Sequence, residues 1–391
     1  EHLARHRFED DYDSFDTQKC ALEKHLEACF GHHDEVTKAQ TIAWIQEWVG
    51  TALIGESTLR QKCVVFYSAN LGAGEGKSTT IDLIKSAFPA ESVSNLPPHD
   101  WGKNFGLDQL KGRLLNVASE LPHTDLNATA IFKSVVSGDV VGADVKFKNR
   151  VEFKPKCGHV FSANQLPSSE DQSRGFRRRL QLIEFSKPFD TSANRVFDFA
   201  RTALSDPSEP ARIARWVLQG AARVQRQGGY TETGSADAAM LRYQIETSHV
   251  LRWLLEARPF ARQVKIGDRN ERLESITGQR GLKHDEIPSS LAAEAFNAWA
   301  RTNGLKPLSD VIFGRRLQAT GLVESARSNG GLVRGFRRAS DYQAKLAALL
   351  AAQGVAPLET LMAARSVECE LTAPAESEDA SGRYDDDAVP F

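Results

Sequence analysis

No apolar run in this 391-residue chain is long enough to cross a bilayer, and no signal peptide is legible in it. Its 5 cysteines, Cys20, Cys29, Cys63, Cys157 and Cys369, are odd in number and include no Cys-x-x-Cys pair. A disulfide scaffold is therefore not expected; a reducing cytoplasm, with no membrane partner, is. Zinc is short of ligands too. Cys29, His32 and His33 cluster, but no fourth ligand stands at zinc-finger spacing. Neither sign of charge is in excess, at net −2, so the average says nothing about nucleic acid. The local distribution says more. From Arg301 to Arg338 the bases Arg301, Lys306, Arg315, Arg316, Arg327, Arg334, Arg337 and Arg338 meet only Asp310 and Glu324, whereas Glu368 to Phe391 is acidic. The length allows two or three domains of ordinary globular composition.

Against that background Gly72 to Thr79, GAGEGKST, is the most specific feature. It follows the apolar run Cys63-Val64-Val65-Phe66-Tyr67 and precedes a helical pattern over Thr80 to Phe88. A strand, a glycine turn, Lys-Ser and a helix make a phosphate-binding loop. Gly72, Gly74 and Gly76 allow positive φ and close approach, so that backbone N–H groups converge on phosphate oxygens. The helix beginning near Lys77 adds its positive dipole end. Lys77 would reach the β- and γ-phosphates, Ser78 would take a Mg²⁺ position, and Thr79 completes the nucleotide set. One glycine is missing from the usual pattern, its place being taken by Leu71. The bland alternative is a flexible turn between strand and helix.

Three later features add chemistry. The strand Leu114-Leu115-Asn116-Val117-Ala118 ends in Ser119-Glu120, where a carboxylate could orient attacking water and support Mg²⁺. Standing alone, Glu120 could equally end a surface strand. The strand Val160-Phe161-Ser162-Ala163 ends in Asn164-Gln165-Leu166-Pro167, so Asn164 could hold water or sense the γ-phosphate, or simply form a turn. Arg177-Arg178-Arg179 precede the last strand, Leu180 to Phe185. They read as a solvated patch, or as a source of an arginine that reaches a neighbouring subunit's site.

In this order the motifs resemble the superfamily 3 helicases, and more closely the phage and poxvirus primase-helicase family. Lys111-Gly112-Arg113 with Ala118-Ser119-Glu120-Leu121-Pro122 resembles that family's second motif. Phe132-Lys133, Ser137-Gly138-Asp139 and Phe153-Lys154-Pro155 resemble its intermediate motif, Ala163 to Pro167 its third, and Arg178-Arg179-Leu180 with Phe185 its closing arginine motif. Asp144 stands where members often carry Arg, and no primase active site is visible; beginning at Glu1, the chain is expected to belong to a longer product. The resemblance implies an α/β fold: an AAA+-like P-loop NTPase core over 57–190, behind an N-terminal helical collar over 1–56. A helical linker region is expected over 191–280, a winged-helix module over 281–340, and a helix with an acidic tail over 341–391. It further implies an ATP- and Mg²⁺-dependent DNA helicase, a homo-hexamer around single-stranded or forked DNA. Lys77, Ser78 and Glu120 would act from one subunit, Arg178 from the next, and Asn164 would couple phosphate loss to its surroundings. Asp144 to Arg150 would form a channel hairpin gripping DNA through Lys146, Phe147 and Lys148, with a turn near Asn149 or Gly142. Arg315 and Arg316 would add a groove-binding helix.

Outside that resemblance, Tyr384-Asp385-Asp386-Asp387-Ala388-Val389-Pro390-Phe391 is similar to the acidic tip of bacterial single-stranded-DNA-binding proteins, which makes host replication proteins expected partners. A solubilising acidic tail is the plainer reading. Two rival functions remain: a P-loop regulatory switch or scaffold without unwinding activity, and a small-molecule kinase, which would need neither the trans arginine nor the hairpin. Elsewhere, one helix is expected over Ala236 to Glu256 and a polar loop over Asp268 to Gly281.

Overall fold

The computed structural model describes residues 18–68, 74–103, 105–118, 121, 129–144, 150–164, 173–189, 198–257, 263–266, 269–272, 286–327 and 334–352. Two helices open the described chain, α1 (Ala21–Cys29) and α2 (Glu35–Leu53), with the short α3 (Ser57–Arg60) after them. Asp34 starts α2 by accepting from the amides of Val36 and Thr37, the first-turn donors that have no partner inside a helix.

The alternating segment then builds a sheet. In chain order it contains β1 (Cys63–Tyr67), α4 (Lys77–Ser86), β2 (Val93–Ser94), β3 (Leu115–Ala118), α5 (Thr129–Ser137) and the paired strands β4 (Val141–Ala143) and β5 (Val151–Phe153). It closes with β6 (Gly158–Ala163), α6 (Arg174–Arg177) and β7 (Leu180–Glu184). Strands β2-β3-β6-β1-β7 pair in that order, all parallel. Strands β1 and β3 are apolar nearly throughout because they are covered on both faces, as parallel strands generally are.

One face is covered by α1, α2, α4 and α8 (Glu209–Gln227), with Trp48, Phe66 and Phe185 in the shared core. Helices α2 and α8 cross at Gly50 and Gly220. A Cβ on Gly50 would lie 2.0 Å from the Val217 carbonyl oxygen, so the backbones touch where only glycine fits. At the same crossing Glu47, fully buried, takes the Arg223 Nε at 2.6 Å and the Thr231 amide at 2.6 Å. The other face is covered by α5 and by α9 (Gly234–Thr247), around Trp101, Phe132, Phe161 and Phe176.

After the short α7 (Phe199–Ala203) and the long α8, the expected single helix over 236–256 is two. Helix α9 ends at Thr247, and α10 (His249–Ala257) follows Ser248, whose backbone is extended at φ −101°, ψ 97°. The break sends α10 to a different core, where Trp253 meets Phe296 and Phe313 edge-on. The expected loop after 268 also differs. Strands β8 (Gln263–Ile266) and β9 (Arg269–Arg272) form an antiparallel pair there. Gly142 likewise sits within β4, paired with Glu152, and not at a turn.

The remaining unit holds β10 (Glu286–Pro288), α11 (Ser289–Thr302), α12 (Asp310–Ala319), β11 (Val323–Arg327), β12 (Arg334–Arg338) and α13 (Tyr342–Ala352). Its three strands pair antiparallel in the order β10-β12-β11. The Asn297 side chain bonds both the amide and the carbonyl of Leu308, which fixes the turn between α11 and α12. Ser309 then caps α12 through the Ile312 amide.

Candidate active site

Open parallel sheets bind ligands outside the carboxyl ends of their strands, where the strand order reverses. Here that place is the end of β1: the strands that follow β1 in sequence go to one side of it, except β7, which lies on the other. The ends are tied together. The Ser68 amide donates to the Ala163 carbonyl at 3.3 Å, and the Leu121 amide donates to the Ser162 carbonyl at 2.8 Å. The chain beyond β1, β3 and β6 therefore leaves from one rim.

Helix α4 starts at Lys77 on that rim, directly after Gly76. Gly74 and Gly76 have φ of +92° and +94°, the left-handed region that side chains resist. Gly76 is also crowded. A Cβ there would meet Cys29 Sγ at 2.8 Å, a Phe189 ring atom at 2.9 Å and His25 at 3.0 Å. The His25 Nε2–H donates to the Gly76 carbonyl at 3.1 Å, and its ring stacks between Phe189 and Phe199, each 5.6 Å away. Burial lowers the His25 pKa, partly offset by that carbonyl. Cys29 lies 3.4 Å from the same nitrogen, its thiol pushed up to about 12 by burial. Helix α1 thus buttresses the turn from behind.

Lys77 is nearly buried and held on two partners. Its Nζ lies 2.9 Å from Glu75 Oε2 and donates to the Ser68 hydroxyl, which in turn donates to Glu75. Glu75 is 2% exposed, and its second oxygen, Oε1, has no hydrogen-bond partner among the described residues. Ser78 is exposed on the first turn of α4, and Thr79 is half-buried. A turn of positive-φ glycines feeding a helix N-terminus, with an ammonium beside it, fits the phosphates of a nucleotide and a hydroxyl-bound Mg²⁺.

Asn164 is exposed at the end of β6, on the same rim. Gly72 and Glu120 lie outside the described residues, as do Lys146, Phe147 and Lys148, although β4 and β5 flank the latter three as an antiparallel pair. The arginines are at the opposite edge. Arg178 ends α6 just before β7 begins, and the Cys63 amide, at the start of β1, donates to the Arg179 carbonyl. A five-residue strand puts the two edges about 16 Å apart. The three arginines also separate. Arg177 donates to Gln244 at 2.7 Å and to the Ala319 carbonyl at 3.2 Å. Arg179 donates to Ser137 at 2.7 and 2.9 Å. Arg178 is exposed, and its side chain makes no hydrogen bond among the described residues. In the last unit Arg315 is exposed and Arg316 half-buried on α12.

Ser68, Glu75, His25 and Phe189 were not singled out by motif reading. Ser68 had a signal, standing first after the apolar run; His25 had one as part of an apolar helix face. A further group at the rim also lacked a motif: Tyr67 Oη donates to Glu184 at 3.2 Å, and Arg242 of α9 pairs with the same carboxylate.

A family model described as "Family of unknown function (DUF5906)" matches residues 71–179, from the glycine turn to the arginine turn. No curated protein matches the chain. Solved apo structures of the NrS-1 C-terminal region are similar. One aligns at TM-score 0.49 and 14% identity over 85% of this chain and 79% of that one. Another, of residues 305-718, aligns at 0.45 and 15% over 83% and 76%. At these scores the likeness carries no residue roles.

Proposed function

We propose that this chain is an ATP-driven DNA helicase of the superfamily 3 type, built on a P-loop NTPase core and working as a ring around single-stranded DNA. The observation that carries the reading is the split between the two edges of the sheet. Lys77, Ser78 and Asn164 stand at the carboxyl rim, while the exposed Arg178 stands at the amino edge, too far away to serve the same protomer's site. An arginine placed so can complete catalysis only in a neighbour, stabilising the charge that develops on the transferred phosphoryl group.

Residues at the rim divide the work. Lys77 binds the β- and γ-phosphates, and the amides at the start of α4 cradle them. Glu120 orients the water, and Asn164 senses the γ-phosphate. Ser78 and Glu120 would hold Mg²⁺, which would supply positive charge to neutralise the phosphates. Lys146, Phe147 and Lys148 grip the single strand in the channel, and Arg315 and Arg316 of a winged-helix module add contacts to duplex. ATPase activity should rise with single-stranded DNA. Mixing Lys77→Ala with Arg178→Ala subunits, each inactive alone, should restore part of the ATPase activity, because some seams then join an intact Lys77 to a neighbour's intact Arg178. No restoration on mixing would reject a trans arginine.

A second reading, a slow nucleotide switch, is favoured by one contact. The buried Glu75 carboxylate competes with phosphate for Lys77. A switch would show no stimulation by DNA and no effect of mixing.

A further inference from the structure

Helix α12 presents an outer face that neither core packing nor nucleotide chemistry uses. Its inner residues Phe313 and Leu317 are buried against Trp253, Phe296 and Phe336. On the other side Val311 is 63% and Ile312 44% exposed, two of the few large apolar side chains left in solvent among the described residues. One turn further on stand Arg315 and Arg316, with no carboxylate paired to either among the described residues. Two nearby bases of the unit are engaged: Arg337 pairs with Glu324 at 3.1 Å, and Arg338 lies over the Tyr342 ring at 5.5 Å. An apolar step followed by a cationic step is a poor match for a phosphate backbone alone, which supplies charge but nothing for Val311 and Ile312.

The chain carries a segment with the complementary pattern. Residues 368–391 hold Glu368, Glu370, Glu376, Glu378, Asp379 and Asp385 to Asp387 against a single base, Arg383. Within Tyr384 to Phe391, acids and apolar residues come in sequence. In an extended backbone Asp385, Asp387, Val389 and Phe391 share one side. Pro390 excludes helix there and biases Val389 to the extended region. Asp387 and Val389 are then about 7 Å apart, close to the roughly 6 Å rise between Ile312 and Arg316 on a helix.

The attachment point is close as well. Helix α13 packs in the same core as α12 through Tyr342 and Leu346, and Lys345 donates to the Gly321 carbonyl just past the end of α12 at 3.0 Å. From the end of α13 at Ala352, residues 353–384 span roughly 30 Å as a coil, enough to return to a helix about 15 Å long. A tether of that length gives an effective concentration in the millimolar range.

We infer that residues 384–391 dock on the outer face of α12 in the same chain, Asp385 and Asp387 against Arg315 and Arg316, and Val389 with Phe391 over Val311 and Ile312. The docked segment competes with duplex DNA for those arginines. This does not depend on nucleotide hydrolysis.

The test uses the full-length chain and a fluorescent peptide of residues 376–391. Neutralising the chain's own segment with Asp385→Asn, Asp386→Asn and Asp387→Asn frees the face. The peptide should then bind at least about 10-fold tighter than it binds the unaltered chain. Adding Arg315→Glu, or Val311→Ser with Ile312→Ser, to that variant should abolish the gain; these residues are exposed, and an unchanged melting temperature checks the fold. Duplex DNA affinity should rise in the triple-Asn chain. Equal peptide binding by unaltered and triple-Asn chains overturns the proposal, as does a gain that survives both sets of α12 substitutions. DNA binding that needs Arg315 but ignores the three aspartates makes the face a nucleic-acid surface only, which also overturns it.

Discussion

Lys77 and Glu75 form a buried pair, 9% and 1% exposed at the side chain, and removing one partner strands the other. Lys77→Met should therefore lower stability by about 3–5 kcal/mol while abolishing nucleotide binding. Glu75→Gln in the same chain should recover the melting temperature but not the binding. Recovery of both would mean that Lys77 is structural. Gly76 is constrained twice, by φ of +94° and by its neighbours, since a Cβ there would lie 2.8 Å from Cys29 Sγ and 2.9 Å from a Phe189 ring atom. Gly76→Ala should cost about 1–3 kcal/mol and weaken nucleotide binding beyond that loss; calorimetric unfolding with and without nucleotide separates the two effects. The glycine turn and its lysine were legible because their spacing is local. Their partners were not. His25 reaches Gly76 from 51 positions away, and Glu75 occupies a variable place in the loop, so only packing reveals that each touches the site.

At the scale of elements, the strands were the most legible, since short apolar runs such as Val64 to Phe66 can be satisfied only by two covered faces. Helix ends were approximate. The glycine-Lys-Ser pattern placed the start of α4 near Lys77, where it lies, but the apolar pattern ran on to Phe88, two residues past the end of the helix at Ser86. The break at Ser248 was invisible because no Gly or Pro marks it; tertiary packing of Trp253 decides it. Strand β9, Arg269–Arg272, is polar enough to read as loop. The crossing of α2 and α8 yields a prediction. Gly50→Ala puts a methyl 2.0 Å from a carbonyl oxygen, so the helices must separate. We expect a loss of several kcal/mol in urea unfolding, larger than the usual overpacking cost of about 1–3 kcal/mol. A neutral result would mean that the two helices slide freely.

For the whole molecule, acid should be destabilising before any carboxylate titrates. Burial pushes His159 down from 6.5 to about 3, and it also lowers His25. Each binds a proton less readily when folded than in the unfolded chain, so as pH falls through 6.5 the unfolded state binds more protons. Stability is then unaffected by these groups above pH 6.5 and falls below it. His159 alone contributes about 1.4 kcal/mol per pH unit between 6.5 and about 3. Denaturant midpoints at pH 7.5 and pH 5.0 measure this, and equal midpoints would contradict it. No described helix is long and apolar enough to cross a membrane. The interleaving of α1 with the glycine turn has a practical corollary for anyone preparing shorter versions of the protein. A clone that begins at the first sheet strand would discard the imidazole and thiol propping up Gly76, together with the Ala21 amide that Glu209 receives. Such a clone should come out as inclusion bodies, and a workable one must start upstream of Cys20.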